Sequence, residues 1–243
     1  MNKQYISDHF ENTSFKNTKG IEKRVMLVKK YVDLNMKNIL DLGCGVGGFT
    51  IEFSKYAKRV VGIDVEEKAI KTAKNNIRGI SNIEVRLFDL QKDDLKEKFD
   101  IVFMNEVIEH LENESSVLRR VNKLLNNNGV LVIFAPNKGF PFETHGLCFG
   151  KKSYNFNVPL LSWFPEFIRK PFTNARIYSA RSLKRTLIQS GFVIEKVDYI
   201  MPTFAKIEKK TGFLGRIIRG IFWKLEKTPL KIFGLSIFII AKK

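Results

Sequence analysis

Leu40-Asp41-Leu42-Gly43-Cys44-Gly45-Val46-Gly47-Gly48 decides how this chain is read. A short apolar run, Asn38-Ile-Leu-Asp-Leu, leads into it, and a stretch with helical spacing follows through Tyr56. The glycines at 43, 45 and 48 therefore sit in a strand-to-helix turn. There Gly43 and Gly45 permit a sharp reversal and the close approach of a ligand to the backbone. Taken alone, a G-x-G-x-x-G turn fits NAD or FAD equally well.

Three carboxylates narrow the choice. Asp64 closes the second apolar run, Arg59-Val-Val-Gly-Ile, 21 residues after Gly43. At that place a carboxylate accepts hydrogen bonds from ribose hydroxyls. Asp89 closes the third run, Ile83 to Phe88, and suits the amino group of an adenine. Asp41 would support the loop or a cationic end of the ligand. All three fall at or near the C-terminal ends of expected strands, where open α/β sheets bind ligands. A single Asp at such a place is ordinarily a helix cap or turn former. Three in register with a glycine turn point to a nucleoside-containing ligand with a positively charged end.

Outward from this turn, strands and helices alternate. Ile21, Val25, Val28, Val32 and Leu34 give residues 20–35 near-helical spacing, and Glu66 to Ile77 reads as the helix after the second strand. Phe99 to Met104 is nearly all apolar, as in a strand buried on both faces. Val117, Leu118, Val121, Leu124 and Leu125 make one face of a helix over Glu112 to Asn126, with Gly129 at an expected C-cap. Val130 to Ala135 is the fifth strand. Ser179 caps a helix with Leu183, Leu187 and Ile188 on its apolar face, and Gly191 ends it. Phe192 to Ile200 and Leu235 to Ala241 are the sixth and seventh strands. The alternation predicts a Rossmann-like, doubly wound, mostly parallel seven-stranded sheet. A single domain over 1–243 is expected, with a polar arm at 1–19 and insertions at 137–178 and 201–232.

Composition excludes collagen-like, low-complexity and wholly disordered classes: 243 residues are 44% hydrophobic and 28% charged, with 16 Gly and 7 Pro. The formal charge of +17 implies either an anionic partner or general lysine richness. Cys44 and Cys148, far apart, form neither a disulfide framework nor a zinc knuckle. The start lacks an apolar signal segment, and the C-terminal apolar run Phe233 to Ala241 is too short to span a bilayer. A cytoplasmic protein is expected, with contact at the inner membrane face open.

DLGCGVGG, GID at 62–64, FDL at 88–90 and FDIVFMNEVIEHL at 99–111 closely resemble the class I S-adenosylmethionine-dependent methyltransferases. The resemblance is strong over residues 20–135. It implies a last strand inserted antiparallel to the rest and S-adenosylmethionine as cofactor. It further implies that Gly43 and Gly45 line the cofactor's amino acid portion and that Asp64 holds the ribose. Asp89 and Leu90 would flank the adenine, and Asn105 and Val107 the methionine portion. Asp41, Cys44, Gly48 and Val65 complete the implied cofactor set.

After the fourth strand, Asn105-Glu106-Val107-Ile108-Glu109-His110-Leu111 is dense in titratable groups. Methyl transfer needs an aligned nucleophile, and a hydroxyl nucleophile also needs a base. His110, with Glu109 beside it, suits that role because imidazole titrates near neutrality. A structural histidine holding the loop is the plainer reading. A third is a divalent metal held by Glu106, Glu109, His110 and His145, which would acidify a substrate hydroxyl. Ubiquinone-pathway O-methyltransferases and small-RNA 2′-O-methyltransferases carry a similar E-x-x-E-H element, as do relatives that bind no metal.

The insertion at 137–178 interleaves Phe140, Phe142, Phe149, Phe156, Trp163, Phe164 and Phe167 with Lys151, Lys152, Arg169, Lys170 and Arg176. It reads as a substrate lid for an apolar acceptor, or as an accessory subdomain filling its own core. In the second insertion Phe213, Leu214, Ile217, Ile218, Ile221, Phe222 and Leu225 form one helical stripe, with Arg216, Arg219, Lys224 and Lys227 mostly elsewhere. Such a helix over 206–231 either lies on an anionic membrane or packs internally. The leading expectation is a methyltransferase acting on an oxygen of a small apolar, quinone- or lipid-like acceptor. RNA methylation and a non-catalytic cofactor-binding role are the alternatives; interleaved aromatics and lysines also suit single-stranded RNA.

Overall fold

The computed structural model describes residues 18–143, 147–149, 152–154, 158–169, 171–173, 175–203 and 211–243. The first helix, α1 (Thr18–Lys29), opens two residues inside the expected arm. There follow β1 (Asn38–Leu42), α2 (Gly48–Ser54), β2 (Arg59–Asp64), α3 (Glu67–Asn76), β3 (Ile83–Leu87) and β4 (Phe99–Asn105). A 3-10 turn over Ile108–His110 leads to α4 (Glu114–Leu124) and β5 (Leu125–Pro136). After the first insertion come α6 (Ala180–Gln189) and β10 (Val193–Ile200), and after the second β11 (Ser236–Lys242).

One seven-stranded sheet runs in the order β10-β11-β5-β4-β1-β2-β3. β1, β2, β3, β4 and β5 pair in parallel. β11 wedges antiparallel between β5 and β10, as the sequence implies for the last strand. Side chains alternate across this sheet, so each strand feeds two cores. Leu40, Leu42, Val102, Met104, Leu131 and Ile133 face α4 and α6, where Val117, Leu118, Val121, Leu183 and Leu187 are buried. Ile39, Ile101, Phe103, Val132 and Phe134 face α1 and α2, packing on Val25, Val28 and Phe53. Phe53, Phe103, Phe134 and Phe238 continue across this second core in aromatic contacts at centroid distances of 4.7, 6.0 and 4.9 Å. Fully burying each such side chain is worth ~1.5–3 kcal/mol.

One expectation needs correcting. Gly129 is no helix cap: α4 ends at Leu124, capped at its start by Asn113, and Leu125 already pairs with Phe99. Asn128 takes the left-handed turn, at φ 61°. Gly129 is glycine because a Cβ there would stand 2.9 Å from the Asn126 carbonyl oxygen and 3.0 Å from the Leu125 side chain.

The first insertion holds two small antiparallel pairs, β6 (Phe142–Glu143) with β9 (Val158–Pro159) and β7 (Leu147–Phe149) with β8 (Lys152–Tyr154). A 3-10 turn over Leu161–Trp163 and the short α5 (Glu166–Arg169) follow. Its two ends are tied together. Lys138 N–H donates to the Tyr178 carbonyl at 2.8 Å, and Tyr178 N–H to that of Pro136 at 3.0 Å. The second insertion contributes α7 (Phe213–Leu225) and a 3-10 turn over Pro229–Phe233. Among the described residues no helix is long and apolar enough to cross a membrane.

Candidate active site

The glycine turn lies at the C-terminal edge of β1, between β2 and β4. Gly43, Gly45 and Gly47 all have positive φ, at 77°, 53° and 88°. The N–H groups of Gly43 and Cys44 both donate to the Ile63 carbonyl, at 2.8 and 3.0 Å, which folds the loop back over β2. Asp64 completes the stitch. Its buried carboxylate accepts from Gly45 N–H at 2.8 Å and Glu66 N–H at 2.9 Å. Asn76 of α3 reaches back to the Val46 carbonyl at 2.9 Å. Burial pushes the Asp64 pKa up, and the backbone N–H donors oppose that shift.

Asp41 is buried beneath the loop and accepts from the Thr50 hydroxyl at 2.6 Å. It therefore supports the loop from below. Burial raises its carboxyl pKa to about 7. Gly43 serves the protein's own packing, since a Cβ there would stand 2.3 Å from Val107 Cγ2. Gly48 likewise makes room for α1: its Cβ would meet Ile21 Cδ1 at 2.8 Å. Cys44 turns inward onto Ile70, Ala73 and Val85, where burial pushes its thiol pKa far up. Leu90 is also buried, in the core under α4. For Gly48, Cys44 and Leu90 the side-chain position is thus a packing position, so any ligand contact would come from backbone.

Around the rim, Val65 is exposed directly after Asp64. Asp89 accepts from Gln91 N–H at 3.0 Å and pairs with Lys92 at 3.2 Å. Asn105 stands beside Gly43, because Leu42 pairs with Met104. Its Oδ1 is buried and has no hydrogen-bond partner among the described residues. A buried acceptor left unpaired is costly, and a bound donor group removes the cost.

The segment after Asn105 is held by groups that sequence reasoning missed. Glu106 takes a left-handed backbone, at φ 54°. Its Oε1 accepts from the Ser236 hydroxyl at 2.6 Å and lies 3.5 Å from Arg24 of α1, which also donates to Ser236 at 3.1 Å. Downstream, Glu109 is buried, and its Oε1 is 3.9 Å from His110 Nε2, whose side chain is 27% exposed. The end of the first insertion is pinned onto the same turn. Arg176 donates to the carbonyls of Leu111 at 2.7 Å and Glu112 at 3.2 Å, and the Tyr178 hydroxyl to Glu114 at 2.6 Å. The Arg24, Ser236, Arg176 and Tyr178 contacts join residues 64 to 212 apart in sequence, which leaves no local signal.

The metal alternative does not assemble from these groups. Glu106 is committed to Arg24 and Ser236, and among the described residues no three of His, Cys, Asp and Glu are placed to hold a metal ion. His145 lies outside the described residues.

A methyltransferase-domain family model matches residues 34–211. The chain belongs to this methyltransferase family. An O-methyltransferase of ubiquinone biosynthesis from Pelagibacter ubique is 31% identical over 142 residues, covering 55% of this chain and 54% of that protein. The (S)-coclaurine N-methyltransferase of Papaver somniferum is 30% identical over 101 residues, 40% of this chain and 29% of that one. The matches thus span about half or less of these curated relatives' lengths. In fold, an S-adenosylmethionine-dependent methyltransferase from Mesorhizobium loti superposes with a TM-score of 0.65 at 20% identity, over 93% of this chain and 100% of that one. The [4+2]-cyclase SpnF superposes with 0.61 at 16% identity, over 92% and 81%. That frame therefore does not by itself name a reaction.

For this family member the cofactor fit is tested by the residues themselves. The Asp64 carboxylate would accept from ribose hydroxyls, and the Asn105 Oδ1 would accept from the ammonium of an amino acid portion. Both fit S-adenosylmethionine.

Proposed function

We propose that the protein transfers a methyl group from S-adenosylmethionine to an oxygen of a small, largely apolar acceptor carrying an aromatic ring. The observation that carries this reading is the partly exposed His110, held on a rigid turn immediately beyond the cofactor-facing end of β4. Bound S-adenosylmethionine supplies a methyl carbon already activated by its sulfonium. What remains for the chain is alignment and proton removal. Asp64 and Asn105 fix the two ends of the ligand. His110 accepts the proton of the acceptor hydroxyl as the new C–O bond forms and the methyl carbon's bond to sulfur breaks, leaving S-adenosylhomocysteine; Glu109 Oε1 stands 3.9 Å from His110 Nε2.

A cleft of about 370 Å³ lies farther along the same sheet edge, beyond β5, and would hold the acceptor's substituents while its hydroxyl reaches back to His110. It lies on the opposite half of the sheet from the glycine turn. Asn137, Lys138, Trp163, Tyr199 and Ile232 line it. Two aromatic rings and an isoleucine suit a ring with an alkyl substituent, and Lys138 suits an anionic one. The ubiquinone-pathway relatives favour oxygen as the methylated atom, whereas the coclaurine relative uses nitrogen.

The test is incubation with S-adenosylmethionine and an alkyl-substituted catechol, with product identified by mass spectrometry. An O-methyl product is expected, and His110→Ala should lower kcat by roughly 10²–10⁴-fold without weakening S-adenosylhomocysteine binding. Transfer only to the matching aryl amine, or unchanged kcat in His110→Ala, contradicts the reading.

A further inference from the structure

The two insertions meet to form one exposed surface. The Asn137 side-chain amide donates to the carbonyls of Ile232 and Gly234, both at 2.7 Å. The Trp163 ring lies 6.5 Å from that of Phe233, and its indole N–H donates to the Gly139 carbonyl at 3.2 Å. Around this junction Trp163, Phe164, Phe167, Leu230, Ile232 and Phe233 are all exposed. Scattered exposed apolar residues are ordinary, but a contiguous group of large ones marks a contact surface.

Helix α7 extends the same character. Phe213, Ile217 and Ile221 stand at i, i+4 and i+8, on one face, and all three are exposed, as is Trp223. Internal packing of this stripe is therefore not what these three side chains do among the described residues. Arg216, Arg219, Lys224 and Lys227 accompany them, while Lys231 pairs with Asp198 at 2.7 Å, and Glu226 is the sole acidic residue of 211–233. Glu226 is turned away to Lys23 at 2.7 Å and also accepts from Met201 N–H, which fastens the end of α7 to the body. Arg216 and Arg219 stand over the rings of Phe213 and Trp223, at 5.9 and 5.2 Å. Apolar side chains at the centre with cations at their margin match the interface of an anionic bilayer.

We propose that α7, the 229–233 turn and the 163–168 tip of the first insertion form a docking surface for an anionic lipid bilayer. Apolar side chains enter the headgroup region while the arginines and lysines meet lipid phosphates. The Ile and Phe stripe favours lipid over nucleic acid, because an RNA strand offers no apolar phase to receive it. Trp163 and Ile232 belong to this surface and to the cleft wall alike, so the cleft opens beside the bilayer. The docking itself does not depend on which acceptor is methylated.

The experiment is flotation of the full chain with phosphatidylcholine vesicles, with and without phosphatidylglycerol, at low and high salt. Binding to the anionic vesicles is expected, at least about tenfold weaker to neutral ones, and weakened by salt. Phe167→Asp combined with Ile221→Asp should abolish it. Arg216→Glu combined with Arg219→Glu should remove the preference for anionic lipid. Both variants should still bind S-adenosylhomocysteine, whose contacts lie at β1 to β4, which shows that they are folded. Absence of vesicle binding by the wild type, or variants that bind as it does, overturns the proposal. So do retention of single-stranded RNA in place of vesicles, and a dimer that the same substitutions disperse.

Discussion

The two halves of the sheet edge are built by opposite means. At the β1–β2–β3 end, the chain's own backbone makes the site: Gly45 and Glu66 N–H groups meet Asp64, and Gly43 and Cys44 fold onto Ile63. Asp41, Cys44 and Asp64 are buried there, and the loop is held by named hydrogen bonds. Beyond β5, the cleft is walled by side chains from two insertions, and several of them remain half exposed. The difference teaches that the glycine-turn end carries rigidity in its backbone, whereas the cleft end carries chemical character in replaceable side chains.

Substitutions separate the two. The largest effect is expected of Gly43→Ala, where a Cβ would meet Val107 at 2.3 Å and φ is +77°. Overpacking and backbone strain together should cost ~2–4 kcal/mol, and S-adenosylhomocysteine binding should be lost in calorimetry. Next is Arg24→Met, which strands the Glu106 carboxylate against Ser236. A loss on the order of 2 kcal/mol is expected by denaturant titration, and the double variant with Glu106→Met should recover most of it. Should the double variant be no better than the single, the clamp is not a coupled unit.

Asp41→Asn tests burial as the cause of its raised pKa. The folded protein holds the Asp41 proton up to about pH 7, whereas the ordinary carboxyl value is 3.8. The group's contribution to stability is therefore full below about pH 4 and lost as pH rises through about pH 7. The asparagine variant should match wild type in acid and exceed it above neutrality by on the order of a few kcal/mol, read as Tm against pH. The smallest stability effect is expected at the acceptor end. Trp163→Ala should change folding by less than ~1 kcal/mol yet raise the acceptor KM about tenfold. A large loss of stability there would erase the contrast between the two ends.

Local spacing made the cofactor end legible. The glycine turn, Asp64 and the apolar run of β4 all announce themselves within a few residues, and the seven strands follow from apolar runs. Side-chain direction was less legible. Cys44 and Leu90 are in the right loops but point into the core, because flanking left-handed glycines turn Cys44 onto α3 and because Leu90 joins the layer under α4. The Arg24–Glu106–Ser236 clamp joins α1, the end of β4 and β11, and no pattern in one segment encodes such a contact. Within 137–178, strands of two or three residues are too short to set up any alternation. The exposed stripe of α7 was visible as amphipathic spacing; only the fold shows which way it faces.

The central claim is that the stitched edge at Gly43, Gly45, Asp64 and Asn105 binds S-adenosylmethionine. Titration calorimetry with S-adenosylhomocysteine, on the wild type and on Asp64→Ala, tests it most directly. Micromolar binding by the wild type, weakened at least about a hundredfold in the variant, is the predicted result. A wild type that binds no S-adenosylhomocysteine, or an Asp64→Ala variant that binds it as tightly, would contradict the account.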